Sequence, residues 1–194
     1  VALTLRTLCG WTTGSIARAF LVEEKAMGQR LVRAQNKIKL AGIAYEVPER
    51  HQFAERLGAV LDVIYLVFNA GYATGTGSGI DVDLCDEAIR LARLLAGLQP
   101  GEAEVEGLLA LCLLQHSRTG ARRDAKGGFV PLEAQDRRLW DRDLIAEGQG
   151  LVETALGRGA IGPFQVQAAI AAVHAGSIGP ESTDWAEIAA LYGV

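Results

Sequence analysis

Aromatic residues are scarce, at 6% of a 194-residue chain. Strands favour aromatic and β-branched side chains, so this scarcity argues against a sheet protein. Abundant Ala, Leu and Gly argue for packed helices instead. Cysteine is limited to Cys9, Cys85 and Cys112, far apart and odd in number. There is no CxxC pair and no Cys/His cluster, which excludes a disulfide framework and a zinc site. Buried reduced thiols in a cytoplasm are expected. A long hydrophobic run is also missing. The most apolar stretch, residues 59–73, is interrupted by Asp62 and Asn69. It falls short of the ~20 apolar residues that a spanning helix needs, so no membrane partner is expected. No nucleophile–base motif occurs. Gly75, Gly77 and Gly79 have no preceding strand and no Walker Lys-Ser/Thr after them, so they are expected to form a connector rather than a phosphate cradle. No cofactor is implied, and the chain is not expected to be an enzyme. No signal peptide is expected from the residues at Val1 and after. The chain starts without Met, and both ends read as truncations.

What is present is a soluble globular composition, 49% hydrophobic and 22% charged. Its net charge of −4 is unevenly divided. Residues 1–47 hold seven Lys/Arg and three Asp/Glu, giving +4, while the remainder holds twelve and twenty, giving −8. A basic head on an acidic body suggests a polyanion partner for the head alone.

The head, residues 12–39, reads as two helices joined by a tight corner. Leu3, Leu5 and Leu8 supply the apolar end of an earlier helix, which Gly10 breaks and Trp11 can cover. Thr12 or Thr13 suits the N-cap of the shorter helix, because a hydroxyl accepts an otherwise orphaned backbone N–H. Ile16, Ala17 and Phe20 fall at core spacing. Leu21-Val22 makes the corner, and Glu23 and Glu24 open the next helix, where negative charge suits the macrodipole. Met27, Leu31, Ala34 and Ile38 form one apolar stripe. Lys25, Gln29, Asn36 and Lys39 project from the opposite side, with Arg30, Arg33 and Lys37 along one flank. A DNA-reading helix needs this arrangement: an apolar back for anchorage, a polar front for base edges, a basic flank for phosphates. Lys25 and Gln29 are therefore the candidate base readers. Arg30, Arg33 and Lys37 are the candidate phosphate ligands, and Thr12 and Thr13 complete the DNA-binding set. Gly28 is placed near the exposed front.

The segment LTLRTLCGWTTGSIARAF-LVEEKAMGQRLVRAQNKIK resembles region 4 of bacterial sigma factors of the extracytoplasmic-function class. The shared skeleton is a Leu-rich helix, Thr-x-x-x-Ile-Ala, a turn, and a helix containing Arg-Leu-x-Arg-Ala, here Arg30-Leu31-Val32-Arg33-Ala34. Ser15 stands where that family usually has Glu. Lys25 and Ala26 replace a small residue and a Thr/Ser. The resemblance implies a domain that reads the upstream (−35) promoter element through the major groove and binds the β-subunit flap of core RNA polymerase.

In the body, Gly42 and Pro48 delimit a connector, since Pro48 disfavours helix before it. A long helix over 49–72 is expected to be buried all round from residue 59. Residues 83–98, with Leu84, Ala88, Leu91, Leu94 and Leu95 inward, and 102–117 form a helical hairpin. Residues 118–140 carry a turn at 125–128. Arg122, Arg123, Arg137 and Arg138 there face Asp124, Glu133, Asp136, Asp141 and Asp143, and an ion-pair network is expected. Trp140 is expected in the core. Two more helices follow at 141–157 and 163–175, then a last one capped by Asp184 with Trp185, Ile188 and Leu191 inward. Residues 59–72, 108–114 and 132–141 resemble motifs of the long C-terminal extension carried by one subgroup of these sigma factors. That resemblance implies tetratricopeptide-like helices that regulate the sigma factor.

The fold expected is all-α: a helix-turn-helix domain over 1–47, then a larger multi-helical bundle or α-solenoid-like domain over 48–194. The function expected is promoter recognition with promoter DNA and core RNA polymerase as partners, and a regulatory protein on the extension. The alternatives are a helical protein-binding scaffold, or a carboxylate enzyme built on Glu133, Asp136, Asp141 and His116.

Overall fold

The computed structural model describes residues 1–43, 46, 48–72 and 81–194. The glycine-rich stretch at 75–79, and part of the connector before Pro48, lie outside the described residues. Among those described the protein is all-α, with no strand. No helix in them is long and apolar enough to cross a membrane. Backbone contacts divide the chain into two compact units, Val1–Val67 and Phe68–Val194. This division falls inside a helix, whereas charge and Pro48 put the expected boundary at 47/48.

Unit 1 holds α1 (Ala2–Thr7), α2 (Thr13–Ala19), α3 (Glu24–Leu40) and the larger part of α4 (Phe53–Tyr72). α1, α2 and α3 pack together around Leu5, Ile16, Ala17, Met27 and Leu31. Gly10, at φ +69°, turns the chain after α1 in the left-handed region that glycine tolerates. Leu8, read as part of the apolar end of the first helix, is exposed, as is Phe20, which fell at core spacing. α4 also departs from expectation. It buries a stripe of Leu61, Ile64, Val67 and Phe68, while Val60 is exposed. Its apolar sequence reflects one covered side, not burial all round.

The helix that is buried all round lies in unit 2. This unit holds the end of α4, then α5 (Val82–Leu98), α6 (Ala103–His116), α7 (Arg142–Leu156), α8 (Pro163–Gly176) and α9 (Trp185–Leu191). Ten of the fourteen α6 residues are buried, and α5, α7 and α8 all pack on it. Small residues permit this. A Cβ at Gly107 would lie 2.8 Å from the Gln165 backbone N, and one at Gly148 would lie 2.7 Å from Leu114 Cγ. The buried face of α5 is Cys85, Ala88, Ile89 and Ala92, rotated from the expected one, so Leu94 is exposed. Caps follow sequence chemistry: Asp81, Asp141 and Asp184 accept first-turn N–H groups of α5, α7 and α9.

Residues 118–140 form three 3-10 turns and a single antiparallel bridge between Arg123 and Phe129. The expected ion-pair network does not form. Arg138–Asp136, at 2.7 Å, is the pair the segment keeps among the described residues. Asp124 instead accepts Lys126 N and Gly128 N to close the turn, and Asp141 is occupied by α7. Arg122 stacks 3.5 Å from the Tyr72 ring centroid and donates to Tyr72 O. Arg137 donates to the carbonyls of His174 and Ser177. Carbonyls and rings lay closer in space than the carboxylates that lay closer in sequence.

Cys85 and Cys112 are fully buried and free. Burial pushes the Cys85 thiol up to about 11 and raises Cys112 as well, which keeps both in the unreactive protonated form. Cys9 is half-buried.

Trp140 is 2% exposed, between Arg137 (Cζ 4.9 Å from the ring centroid) and Arg118 (5.9 Å). Trp140→Ala is expected to lower unfolding free energy by about 3–5 kcal/mol in urea titration; a loss under about 1 kcal/mol would place the indole outside the core. His174 meets the Trp185 ring edge-on, centroids 5.4 Å apart. Burial, then the charges of Arg118 and Arg137, lower its pKa below 6.5. The unfolded chain therefore binds the proton more readily, so stability falls as pH drops through 6.5. His174→Gln is expected to remove part of the stability difference between pH 7.5 and 5.5 in the same assay. An unchanged difference would show that His174 is not its source.

Candidate nucleic-acid interface

The expected DNA-facing set is positioned by α2 and α3. Thr12 caps α2: its Oγ1 accepts Ser15 N at 3.1 Å and lies 2.9 Å from Ser15 Oγ. Its hydroxyl is thus committed to the cap. Thr13, the first residue of α2, is half-buried, and its Cγ2 would lie 3.7 Å from a Cβ at Gly28. Gly28 therefore faces the start of α2, not the exposed front where it was expected. Glu24 also turns towards α2, its carboxylate 3.1 Å from where a Gly14 Cβ would be. Close approach of the two helices accounts for both glycines.

The corner is built by Leu21, which takes φ +52° and leaves its side chain 93% exposed. Val22 N then bonds Ala17 O at 3.0 Å. A non-glycine residue in the left-handed region is uncommon, and here it reverses the chain within four residues.

On α3, Met27 and Leu31 are buried, Ala34 is half-buried and Ile38 is exposed. The apolar stripe is thus anchored over its first half only. Lys25, Gln29, Arg30, Arg33 and Lys37 are all exposed. At about 100° per residue, Lys25, Gln29 and Arg33 lie within about 80° of one another around the helix. Arg33 Nη2 donates to Gln29 Oε1 at 3.4 Å, a contact one turn long that aligns both side chains. Arg30 and Lys37 share the adjoining flank. Thr12 and Thr13 sit at the α2 N-terminus, apart from this row in role: one caps and the other packs. Two exposed cations outside the expected set make local hydrogen bonds. Arg6 Nη1 donates to Trp11 O at 2.9 Å, and Arg18 Nη2 to Ser15 Oγ at 3.2 Å.

The alternative carboxylate set is dispersed in use. Asp136 holds Arg138, whose side-chain and backbone hydrogen bonds depress its pKa to about 2. Asp141 caps α7, and His116 Nε2 lies 3.1 Å from Asp86 Oδ1. Among the described residues no group of three or more His, Cys, Asp or Glu is placed to hold a metal.

The family model covers part of the body, whereas the relative matches nearly the whole chain. A model of a family of unknown function, DUF6596, matches residues 56–156, from α4 to the end of α7 and outside α2 and α3. The chain is 54% identical over 193 residues to "Uncharacterized protein R00370" of Rhizobium meliloti (strain 1021). That match covers 99% of this chain but 46% of the relative, so the chain spans less than half the relative's length. No solved structure matches the chain. The family model takes in more than half of the residues, from the exposed first turns of α4 through the buried α6 to α7, and the chain belongs to the DUF6596 family.

Proposed function

We propose that the head, residues 1–47, is a helix-turn-helix reader of promoter DNA, working as region 4 of an extracytoplasmic-function sigma factor. In this reading α3 enters the major groove. Lys25 and Gln29 meet base edges, and Arg30, Arg33 and Lys37 neutralise phosphates. Core RNA polymerase, through its β-subunit flap, is the protein partner. The helical body acts as a regulatory extension in a cytoplasmic transcription factor, without covalent chemistry of its own.

The observation that supports this reading best is the exposed row Lys25, Gln29 and Arg33, backed by buried Met27 and Leu31 on the same helix. The charge division of +4 in the head against −8 beyond it points the same way. A protein-binding scaffold is the second reading, in which the helical body carries the function and the head is only a cap.

Mobility shift on a promoter library separates the two. The chain is expected to bind, and Arg30→Ala/Arg33→Ala to lose binding across all sequences, because phosphate contacts carry no sequence information. With about four phosphates neutralised, log affinity should fall against log salt with a slope of about −3.6. Binding that ignores salt, or equal binding by the double variant, would remove this assignment.

A further inference from the structure

Unit 2 carries a cleft of its own, about 430 Å³ in volume. That size suits a small organic molecule. One side is lined by Asp136, Arg137, Arg138 and Arg142, and the other by the loop after α8, including Ser177 and Ile178. The body as a whole is acidic, yet this cleft holds three guanidiniums against one carboxylate.

The carboxylate is already used. Asp136 Oδ1 and Oδ2 accept Arg138 Nε at 2.9 and 3.2 Å, and Oδ2 accepts Arg138 Nη2 at 2.7 Å. Arg137 and Arg142 remain, and among the described residues neither forms an ion pair. Arg137 is 7% exposed. Its Nη1 is ringed by His174 O at 2.7 Å, Ser177 O at 2.7 Å and Ser177 Oγ at 2.6 Å. These neutral acceptors orient the guanidinium without cancelling its charge. Its Nε is buried without an acceptor. A buried charge normally has an ionic partner, and Arg137 has none within salt-bridge distance among the described residues. Burial accordingly lowers its pKa; the Glu181 charge works in the opposite sense and the Arg142 charge in the same one.

Arg142 adds the second arm. Its Nη2 donates to Arg137 O at 3.1 Å, so its side chain is held beside Arg137 despite being exposed. Both residues line the same cleft, and guanidiniums present the planar forks that suit carboxylate and phosphate oxygens. At the rim Ile178 is 92% exposed, an apolar contact beside the charge.

We propose that this cleft binds a small organic anion, its carboxylate or phosphate held between Arg137 and Arg142 and its apolar part against Ile178. The site is independent of the DNA-binding reading and stands or falls separately from it.

Isothermal titration calorimetry on the whole chain tests it, with phenylphosphate, benzoate, inorganic phosphate and neutral benzyl alcohol as probes. Saturable binding is expected for phenylphosphate or benzoate, with none for benzyl alcohol. Whichever of the two anions binds more tightly assigns the site to phosphate or carboxylate. Arg142→Gln is expected to weaken binding about tenfold, the loss of one charged hydrogen bond, with circular dichroism unchanged. Arg137→Gln also removes the clamp on the end of α8, so Arg142→Gln is the deciding variant. Ile178→Ala should weaken phenylphosphate but leave inorganic phosphate unaltered. No saturable binding of either aromatic anion up to about 20 mM, or undiminished binding by Arg142→Gln, would overturn the proposal.

Discussion

α6 can be covered on every side only because its neighbours come unusually close, and unit 2 depends on that closeness. Gly107 and Gly148 are the two places where any side chain would collide with Gln165 or Leu114. The approach also solves a polar problem. Gly162, which precedes α8, has no side chain to cap it. Glu104, in the first turn of α6, reaches across and accepts Phe164 N at 3.2 Å and Gln165 N at 3.0 Å. A carboxylate at a helix N-terminus also meets the positive end of its dipole. Gln165, itself 1% exposed, donates to Ala160 O at 2.6 Å. One helix thus supplies both the apolar centre and the cap of its neighbour.

The head is built the other way. It has no fully enclosed helix, and its buried set is small: Leu5, Ile16, Ala17, Met27 and Leu31. A small unit buries a smaller fraction of its surface, so helix α3 is held mainly by its first half. Every residue from 35 to 40 is exposed. Lys37 and Lys39 in the last turn favour the helix end electrostatically, which supports a helix that receives little packing there. The same thinness leaves Lys25, Gln29 and Arg33 uncovered by neighbouring elements of the head, as a recognition surface requires.

Features decided within a few residues were legible in the sequence. The Thr12 and Asp184 caps, the start of α8 at Pro163 and the periodic row on α3 all depend on spacing and local hydrogen bonding. What was illegible depends on partners distant in sequence. Apolarity marked 59–72 as the central helix, but α6 takes that place, because apolarity does not say which surfaces receive neighbours. Likewise Arg137 was matched with carboxylates a few residues away, whereas its acceptors lie 37 and 40 residues on. The cleft that it lines was invisible for the same reason. Gly28 looked exposed on a lone helix, and only the crossing with α2 turns it inward.

The fate of the arginines also alters what net charge means. Arg118, whose Nη2 donates to the Tyr72 hydroxyl at 2.5 Å, and Arg122, stacked on the same ring, are spent inside unit 2. Arg137 is buried as well. A buried guanidinium contributes to the formal charge but less to the field felt in solvent than one at the surface. The formal charge of the body therefore does not map directly onto its surface, since carboxylates such as Glu106 are largely covered as well. In the head Lys25, Arg30, Arg33 and Lys37 are all displayed. Unit 2 divides its arginines between rings and carbonyls at Arg118, Arg122 and Arg137, and carboxylates at Arg90, Arg93, Arg138 and Arg158.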